Sequence, residues 1–389
     1  MKILHTVEQY FPSVGGMQEV ARQISERLVG FGHEVTVATS YRADRNFKDW
    51  HGVSVEAFKI SGNAVRGYEE ATGERKRYRD FLVNSDFDVI TNFAAQQWAT
   101  DLAWESFPEI KAKKIFVPTG FSGLYDPLYK DYFSKMADVM KEYDLNIFLS
   151  HDYRDINFAR DHGIQKFEVI PNGASAEEFL KKNDYDFRPR RGLNKGTFFI
   201  LLVGSHTGEK GHHEAMEIFS KANLANSTLV IIANVYSLAC YGECFFRSLI
   251  HNLFHSNKIL IRSLSREETV AAYHQADLFL FPSNIECSPL VLFEAMASKI
   301  PFLTTDVGNA KEIIEWSQGG VLLPTEKDQT GYSHAKIEES AILLKDLYNN
   351  RDLRESLGRN GYEAWRDKFT WEKIARNYER QYKRALENI

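Results

Sequence analysis

The sequence predicts an α/β protein of two halves, each a Rossmann-like unit with a largely parallel sheet. Three observations predict it. Short apolar runs of strand character alternate with stretches of helical spacing along the whole chain. A strand, a glycine-containing loop and a helix follow one another twice, near residue 2 and again near residue 197. The chain has 389 residues, enough for about two domains.

Taken in order, Lys2–Val7 reads as a first strand, and residues 12–16 as a tight loop holding Gly15 and Gly16. A glycine pair before a helix lets backbone approach a ligand closely. The helix carries Val20, Ile24, Leu28 and Val29 on one face and ends at Gly30 or Gly32. Glu34–Thr39 and Val53–Phe58 read as strands. Arg66–Phe81 reads as a helix rich in Arg and Lys, either a solvated charged face or a contact for anionic lipid head groups. Asp88–Thr91 is a strand that opens into Asn92, Gln96 and Gln97, placed to line an acceptor pocket or to cap and pack a helix. Lys114–Val117 is a strand leading to Ser122. Tyr125 to Met136 follows with aromatic residues at helical spacing, most of them read as core. Leu145–Ser150 and the run from Phe167 supply the last strands of a first domain over 1–180.

A charged, proline-containing run over 181–195 reads as a linker. The second domain, 196–370, opens with the buried strand Thr197–Val203. The loop Gly204-Ser205-His206-Thr207-Gly208-Glu209-Lys210-Gly211 follows, then a helix. Thr228–Ala233 and Ile259–Ile261 are strands. The loop 234–243 follows the first of them and residues 262–264 follow the second. Arg266–Gln275 is a helix, Pro301–Thr305 a strand, and the end is helical from Ile337, with 371–389 returning to the first domain.

The most informative stretch is Asn284–Ala297. A buried strand, Asp277–Phe281, precedes it, and helical spacing begins at Leu290. Ser288 reads as the N-cap and Pro289 as the first helical residue. The first amides, on Leu290 and Val291, then lack intrahelical partners and form an anion site. Glu286 precedes the helix and Glu294 lies inside it, about 8 Å from its start at ~1.5 Å per residue. A phosphate at the helix mouth has one carboxylate on either side, an arrangement suited to a sugar and a ribose joined by a diphosphate.

In this strand–loop–helix setting, Glu286-Cys-Ser-Pro-Leu-Val-Leu-Phe-Glu294 resembles the signature of the retaining glycosyltransferases of GT-B fold, family 4. The resemblance implies two Rossmann-like domains facing across a cleft, a nucleotide-diphosphate sugar (UDP- or GDP-linked) on the second and a glycan or lipid-linked acceptor on the first. It implies that Glu286 contacts the donor sugar, Glu294 the ribose, and Lys210 with Gly204 and Ser205 the diphosphate, helped by Ser288, Leu290, Val291, Gly15 and Gly16, and that the loop 234–243 and residues 262–264 surround the nucleotide base. Glu286 and Lys210 are the expected catalytic pair. Relatives commonly carry a His near residue 120, where Ser122 or a backbone carbonyl stands in here. They also carry an Arg directly after the first glycine of the phosphate loop, where this chain has Ser205. The chain is read as carrying no Asp-x-Asp triplet, so no metal is expected to hold the diphosphate. The resemblance places the work in cell-surface polysaccharide or lipopolysaccharide synthesis.

The net charge of −5 argues against a nucleic-acid partner. Cys240, Cys244 and Cys287 form no disulfide framework, and Cys240-x3-Cys244, without a second pair, argues against zinc. The N-terminus runs straight into a strand, and no run reaches the ~20 apolar residues of a membrane span. A cytoplasmic protein is expected, with a peripheral contact on the inner face of the membrane as an extension. The rival readings are a GT-B nucleotide-sugar epimerase and a non-catalytic nucleotide-sugar binding module.

Overall fold

The computed structural model describes residues 1–181, 184–234 and 237–387. Two compact units form, one of Met1–Asn172 with Trp371–Ile389 and one of Gly173–Thr370.

The first unit runs β1 (Lys2–Thr6), α1 (Gly16–Gly30), β2 (Glu34–Ser40), β3 (Asp49–Trp50), β4 (Val53–Phe58), β5 (Ile60–Asn63), β6 (Gly67–Glu70), α2 (Glu74–Asn84), β7 (Val89–Phe93), α3 (Trp98–Trp104), β8 (Lys113–Val117), α4 (Lys130–Glu142), β9 (Leu145–Phe148), α5 (Arg154–Asp161) and β10 (Phe167–Val169). Its sheet has the order β10-β9-β8-β7-β1-β2-β4-β3, and β5 and β6 pair as a separate hairpin. Only β3 runs antiparallel in the large sheet. Val20, Ile24 and Leu28 face inward from α1, as their spacing predicts.

The helix expected over 66–81 is two elements. Its first part is strand β6, and the helix starts at Glu74 after Gly73 in a left-handed conformation. Its basic residues are paired: Arg75 with Glu70, Arg77 with Glu56 and Glu74, Arg79 with Glu109. This is the solvated, self-neutralised face, not a free basic surface. Of the aromatic run, Tyr129, Tyr132, Phe133 and Met136 are buried, while Tyr125 and Leu128 are exposed.

The second unit runs α6 (Ala176–Phe179), α7 (Phe187–Arg190), β11 (Phe198–Val203), α8 (His212–Ala222), β12 (Ser227–Ile232), α9 (Leu238–Phe254), β13 (Lys258–Arg262), α10 (Arg266–Gln275), β14 (Leu278–Phe281), α11 (Leu290–Ala297), β15 (Phe302–Thr304), α12 (Ala310–Ser317), β16 (Gly320–Leu322), the hairpin β17 (Thr325–Lys327) and β18 (Ser333–Ala335), α13 (Ile337–Asn349) and α14 (Arg351–Lys368). The sheet order is β13-β12-β11-β14-β15-β16, parallel throughout. Alternation sorts its strands onto two cores. Phe199, Leu201, Phe279 and Phe281 meet Leu292 and Phe293 of α11, and Ile200, Leu202, Leu278 and Leu280 pack with Ile218 and Phe219 of α8.

The expected linker differs from the structure. Lys182 and Asn183 lie outside the described residues, but residues 184–195 pack into the second unit. Phe187 is fully buried and stacks on Phe199. Arg188 reaches Asp277 at 2.8 Å and the carbonyl of Gln275. The unit boundary therefore falls at residues 172 and 173, ahead of the charged run. Those charges are anchors on the amino edge of the sheet.

A last helix, α15 (Trp371–Glu387), belongs to the first unit and packs on α1. Tyr382 joins the buried His5 ring (3.1 Å) and Thr91 (2.8 Å), and Glu379 meets His33 at 3.0 Å.

Candidate functional site

In the second unit the chain moves outward from β11 to β13 on one side and from β14 to β16 on the other. The loops leaving β11 and β14 therefore diverge, and a crevice opens at the carboxyl ends of these neighbours. Open α/β sheets bind ligands at such a point. Both sequence motifs arrive there, the 204–211 loop from β11 and the 282–289 loop from β14.

The two loops are bonded together. The Glu209 carbonyl accepts from the Asn284 amide (2.9 Å) and the Ser283 hydroxyl (3.1 Å). Gly211 has φ +63°, and a Cβ there would lie 1.7 Å from the Pro282 carbonyl oxygen, so only glycine permits the approach. Lys210 Nζ then meets Glu286 Oε1 at 2.7 Å, and Ser283 also donates to that oxygen at 3.0 Å. The lysine and glutamate side chains keep 25% and 15% exposure, open enough for a ligand to exchange partners with them.

α11 starts at Leu290 with Pro289 as its N-cap and no side chain capping it. Ser288, the expected cap, instead accepts a hydrogen bond from Asn309 Nδ2 at 3.1 Å. The reason is local: Gly308, at φ +51°, turns the chain against Cys287, whose carbonyl takes the Asn309 amide at 2.9 Å. The loop is braced from α12, and the first turn of α11 keeps its positive end toward the crevice. Leu290 and Val291 are half-buried there.

Glu294 is buried and binds Arg266 at 2.6 Å. Arg266 also binds Glu178 at 2.7 Å. Burial pulls the Arg266 guanidinium down, but Glu294 and Glu178 outweigh it and hold it well above its ordinary value. Sequence reasoning missed Arg266. It is the first residue of α10, 28 positions before its partner, and no short motif links the two. The base loop expected over 234–243 differs as well. Val235 and Tyr236 lie outside the described residues, and α9 begins at Leu238 under a Ser237 cap.

The first unit has the same topology, with its crevice between β1 and β7. Gly15 is extended and caps α1 by position only, and a Cβ on Gly16 would meet nothing within 4 Å. Asn92 is fully buried. It donates to Thr6 Oγ1 at 2.7 Å and accepts from the Tyr143 hydroxyl at 2.9 Å. Gln97 is buried too, donating to backbone carbonyls of Phe93 and Ala94 and accepting from the Glu8 amide at 2.6 Å. Both amides hold the fold, against the expectation that they line an acceptor pocket. Gln96 and Ser122 remain accessible and meet at 3.4 Å. Here the backbone is strained: Ala94, Gln96, Thr119 and Phe121 all have positive φ, and Asp155 pins the Gly120 amide at 2.9 Å.

The chain does hold two Asp-x-Asp triplets, at 86–88 and 184–186. The first runs into the amino end of β7, and the second into α7 with Asp186 at its N-cap. Asp86 binds the Lys2 side chain, Asp88 takes the Lys2 amide at 2.7 Å, and the Tyr185 carbonyl takes the Gln275 side chain at 2.9 Å.

Two family models match the chain in succession. Glycosyltransferase Family 4 covers residues 14–178, and Glycosyl transferases group 1 covers 184–364. The chain belongs to the group 1 glycosyl transferases. It is 28% identical over 238 residues to the Capsular polysaccharide biosynthesis glycosyltransferase CapM of Staphylococcus aureus, spanning 59% of each chain. It is 23% identical to the Lipopolysaccharide glucosyltransferase WaaG of Escherichia coli, over 83% of this chain and 85% of that one. Among solved structures, HepE of Anabaena in complex with UDP-glucose matches all of both chains at a TM-score of 0.77 and 15% identity. The fold is GT-B. Among the described residues, no helix is long and apolar enough to cross a membrane.

Proposed function

We propose that this glycosyltransferase moves a hexosyl group from a nucleotide-diphosphate sugar, with UDP-sugars first among the donors, to a glycan or lipid-linked acceptor, and that the product keeps the donor's anomeric configuration. The observation that carries the reading is the convergence of Lys210, Glu286 and the uncapped first turn of α11 on the crevice between β11 and β14. The UDP-glucose bound to HepE and the polysaccharide and lipopolysaccharide roles in the names of CapM and WaaG support it.

In this reading the diphosphate lies at the mouth of α11, held by the Leu290 and Val291 amides, by Lys210 and by a hydrogen bond from Ser205. A diphosphate draws Lys210 away from Glu286 and frees that carboxylate for the sugar hydroxyls. Glu294, steadied by Arg266, accepts from the ribose hydroxyls. As the bond from the anomeric carbon to the diphosphate oxygen breaks, its electron pair goes to the phosphate. Lys210 and the helix dipole stabilise that charge, and such prearranged donors lower the barrier. The acceptor oxygen bonds to the same face of the sugar and its proton passes to the departing phosphate. Gln96 and Ser122 are the proposed acceptor contacts, and the reaction needs no added magnesium or manganese.

We place the protein in the cytoplasm, at the inner face of the membrane. With the α2 charges paired, the apolar side chains exposed on α9, such as Phe246, Leu253 and Phe254, are the better support for peripheral contact. Co-sedimentation with anionic vesicles, lost on replacing those three residues by serine, tests it.

The reaction is tested by proton NMR of the product. A retained anomeric linkage formed without added divalent cation is expected. An inverted linkage overturns the mechanism, and an epimerised sugar with no transfer overturns the function.

A further inference from the structure

On the side of the 204–211 loop turned toward α9 lies a second cluster, absent from the donor chemistry above. His206 follows Ser205 in the loop, His212 opens α8, and Cys240 and Cys244 stand one turn apart on α9. Each offers one ligand atom, and the four atoms lie within 4.8 Å of one another. His206, His212 and Cys244 are buried and Cys240 half-buried. The sequence argument against zinc found no second ligand pair beside Cys240-x3-Cys244; the structure supplies one in His206-x5-His212.

We propose that His206, His212, Cys240 and Cys244 hold one zinc ion in a closed tetrahedral site that ties α9 to the loop carrying Lys210. Two sulfurs and two nitrogens are a common structural zinc set. Zinc bonds of 2.0–2.3 Å put ligand atoms about 3.3–3.8 Å apart, so closing the site requires inward shifts on the order of 1 Å.

Two features point to a cation. First, the His212 Nε2 lies 3.0 Å from the Gly204 carbonyl, which can only accept; Nε2 therefore carries the proton and Nδ1 is the lone-pair nitrogen. That Nδ1 is buried with no hydrogen-bond partner, and so is the Nε2 of His206. Buried nitrogens without partners are uncommon in folded proteins, and a metal on His212 Nδ1 accounts for the first. A backbone carbonyl on the far nitrogen is also the usual way to orient a ligating histidine. Second, His206 is clamped by its backbone, its amide donating to Asn234 (2.9 Å) and its carbonyl accepting from Ser237 (2.8 Å), while its Nδ1 lies 3.5 Å from Cys240 Sγ.

The charges balance. Zinc binding releases two thiol protons to solvent, and the dication with two thiolates and two neutral imidazoles is uncharged.

The test is elemental analysis of the full chain, purified without a metal-affinity tag, with cobalt(II) replacement as a second readout. About one zinc per chain is expected in the wild type and in Cys287→Ala, with at least a tenfold loss in Cys244→Ser and in His206→Asn. Cobalt(II) should give the visible bands of a tetrahedral ion with thiolate charge transfer. These bands need only wild-type protein, so the proposal stays testable if a variant fails to fold. No zinc together with no cobalt bands overturns it, as does zinc retained in both variants. A chain lighter by two hydrogens, marking a Cys240–Cys244 disulfide, overturns it too. None of these outcomes depends on the donor reading.

Discussion

At the crevice between β1 and β7, the amides of Asn92 and Gln97 are buried and bonded to Thr6, Tyr143 and the backbone. At the crevice between β11 and β14, Lys210 and Glu286 stay part-exposed and bonded mainly to each other. The two sheets share the same switch-point topology, so the strand order alone does not make a site. The difference lies in whether the polar groups at the strand ends are used up by the fold. An ion pair at the mouth of a helix can trade its internal bond for a ligand; a fully buried amide cannot do so without opening the core.

The contrast can be broken most strongly at Lys210. Lys210→Ala should lower kcat about 10²–10³-fold, the scale for removing one donor aimed at developing charge. Steady-state kinetics with UDP-sugars measures this, and an unchanged kcat removes the second unit's crevice from the chemistry. Glu294→Ala should raise the donor KM about tenfold. It should also cost about 1–3 kcal/mol of stability, because Arg266 keeps only Glu178. Kinetics and urea unfolding together separate the two effects.

In the first unit the expectation is reversed. Asn92→Ala should cost about 1–3 kcal/mol by leaving the Thr6 and Tyr143 hydroxyls without their partner, while kcat/KM of the surviving folded protein stays within about twofold. A large kinetic loss at unchanged stability would make this crevice a binding site after all. His5 sharpens the same point through pH. Burial brings it down to about 3, so between roughly pH 6.5 and 3 the unfolded chain binds the proton and the folded chain does not. Stability from this residue is present above 6.5 and is lost as pH falls. The stability advantage of the wild type over His5→Gln should shrink by up to about 1.4 kcal/mol per pH unit over that window, read by denaturation at successive pH values. The smallest effect is expected at Gln96→Ala and Ser122→Ala, a rise of about two- to fivefold in acceptor KM without change in donor affinity.

Much of the donor crevice was legible because it is local. The strand at 278–281, the glutamates at 286 and 294 and the glycine loop at 204–211 are each short patterns of period, cap and turn. What escaped depends on contacts distant in sequence. Arg266 at the start of α10 finds Glu294 on α11, on the same face of the sheet but 28 residues on. Asn309 donates to the Ser288 hydroxyl oxygen, and Pro289 stands at the N-cap instead. The basic run before Phe81 looked helical throughout, yet Gly67 and Gly73 divide it into a strand and a helix whose charges find partners elsewhere. His206 and His212 acquire a relation to Cys240 and Cys244 only when α9 folds over the loop. Asn92 and Gln97 show the converse: an amide at a strand end carries no mark in sequence of whether it faces a ligand or Tyr143.

The most direct measurement is a thermal-shift panel of UDP-, GDP- and ADP-sugars on the wild type, Lys210→Ala and Glu294→Ala. A ligand at a hundredfold excess over its dissociation constant adds about 2.7 kcal/mol to the folded state. A rise in Tm with UDP-sugars that shrinks in both variants is the predicted result. A rise that is equal in all three proteins would place the donor elsewhere and contradict the account.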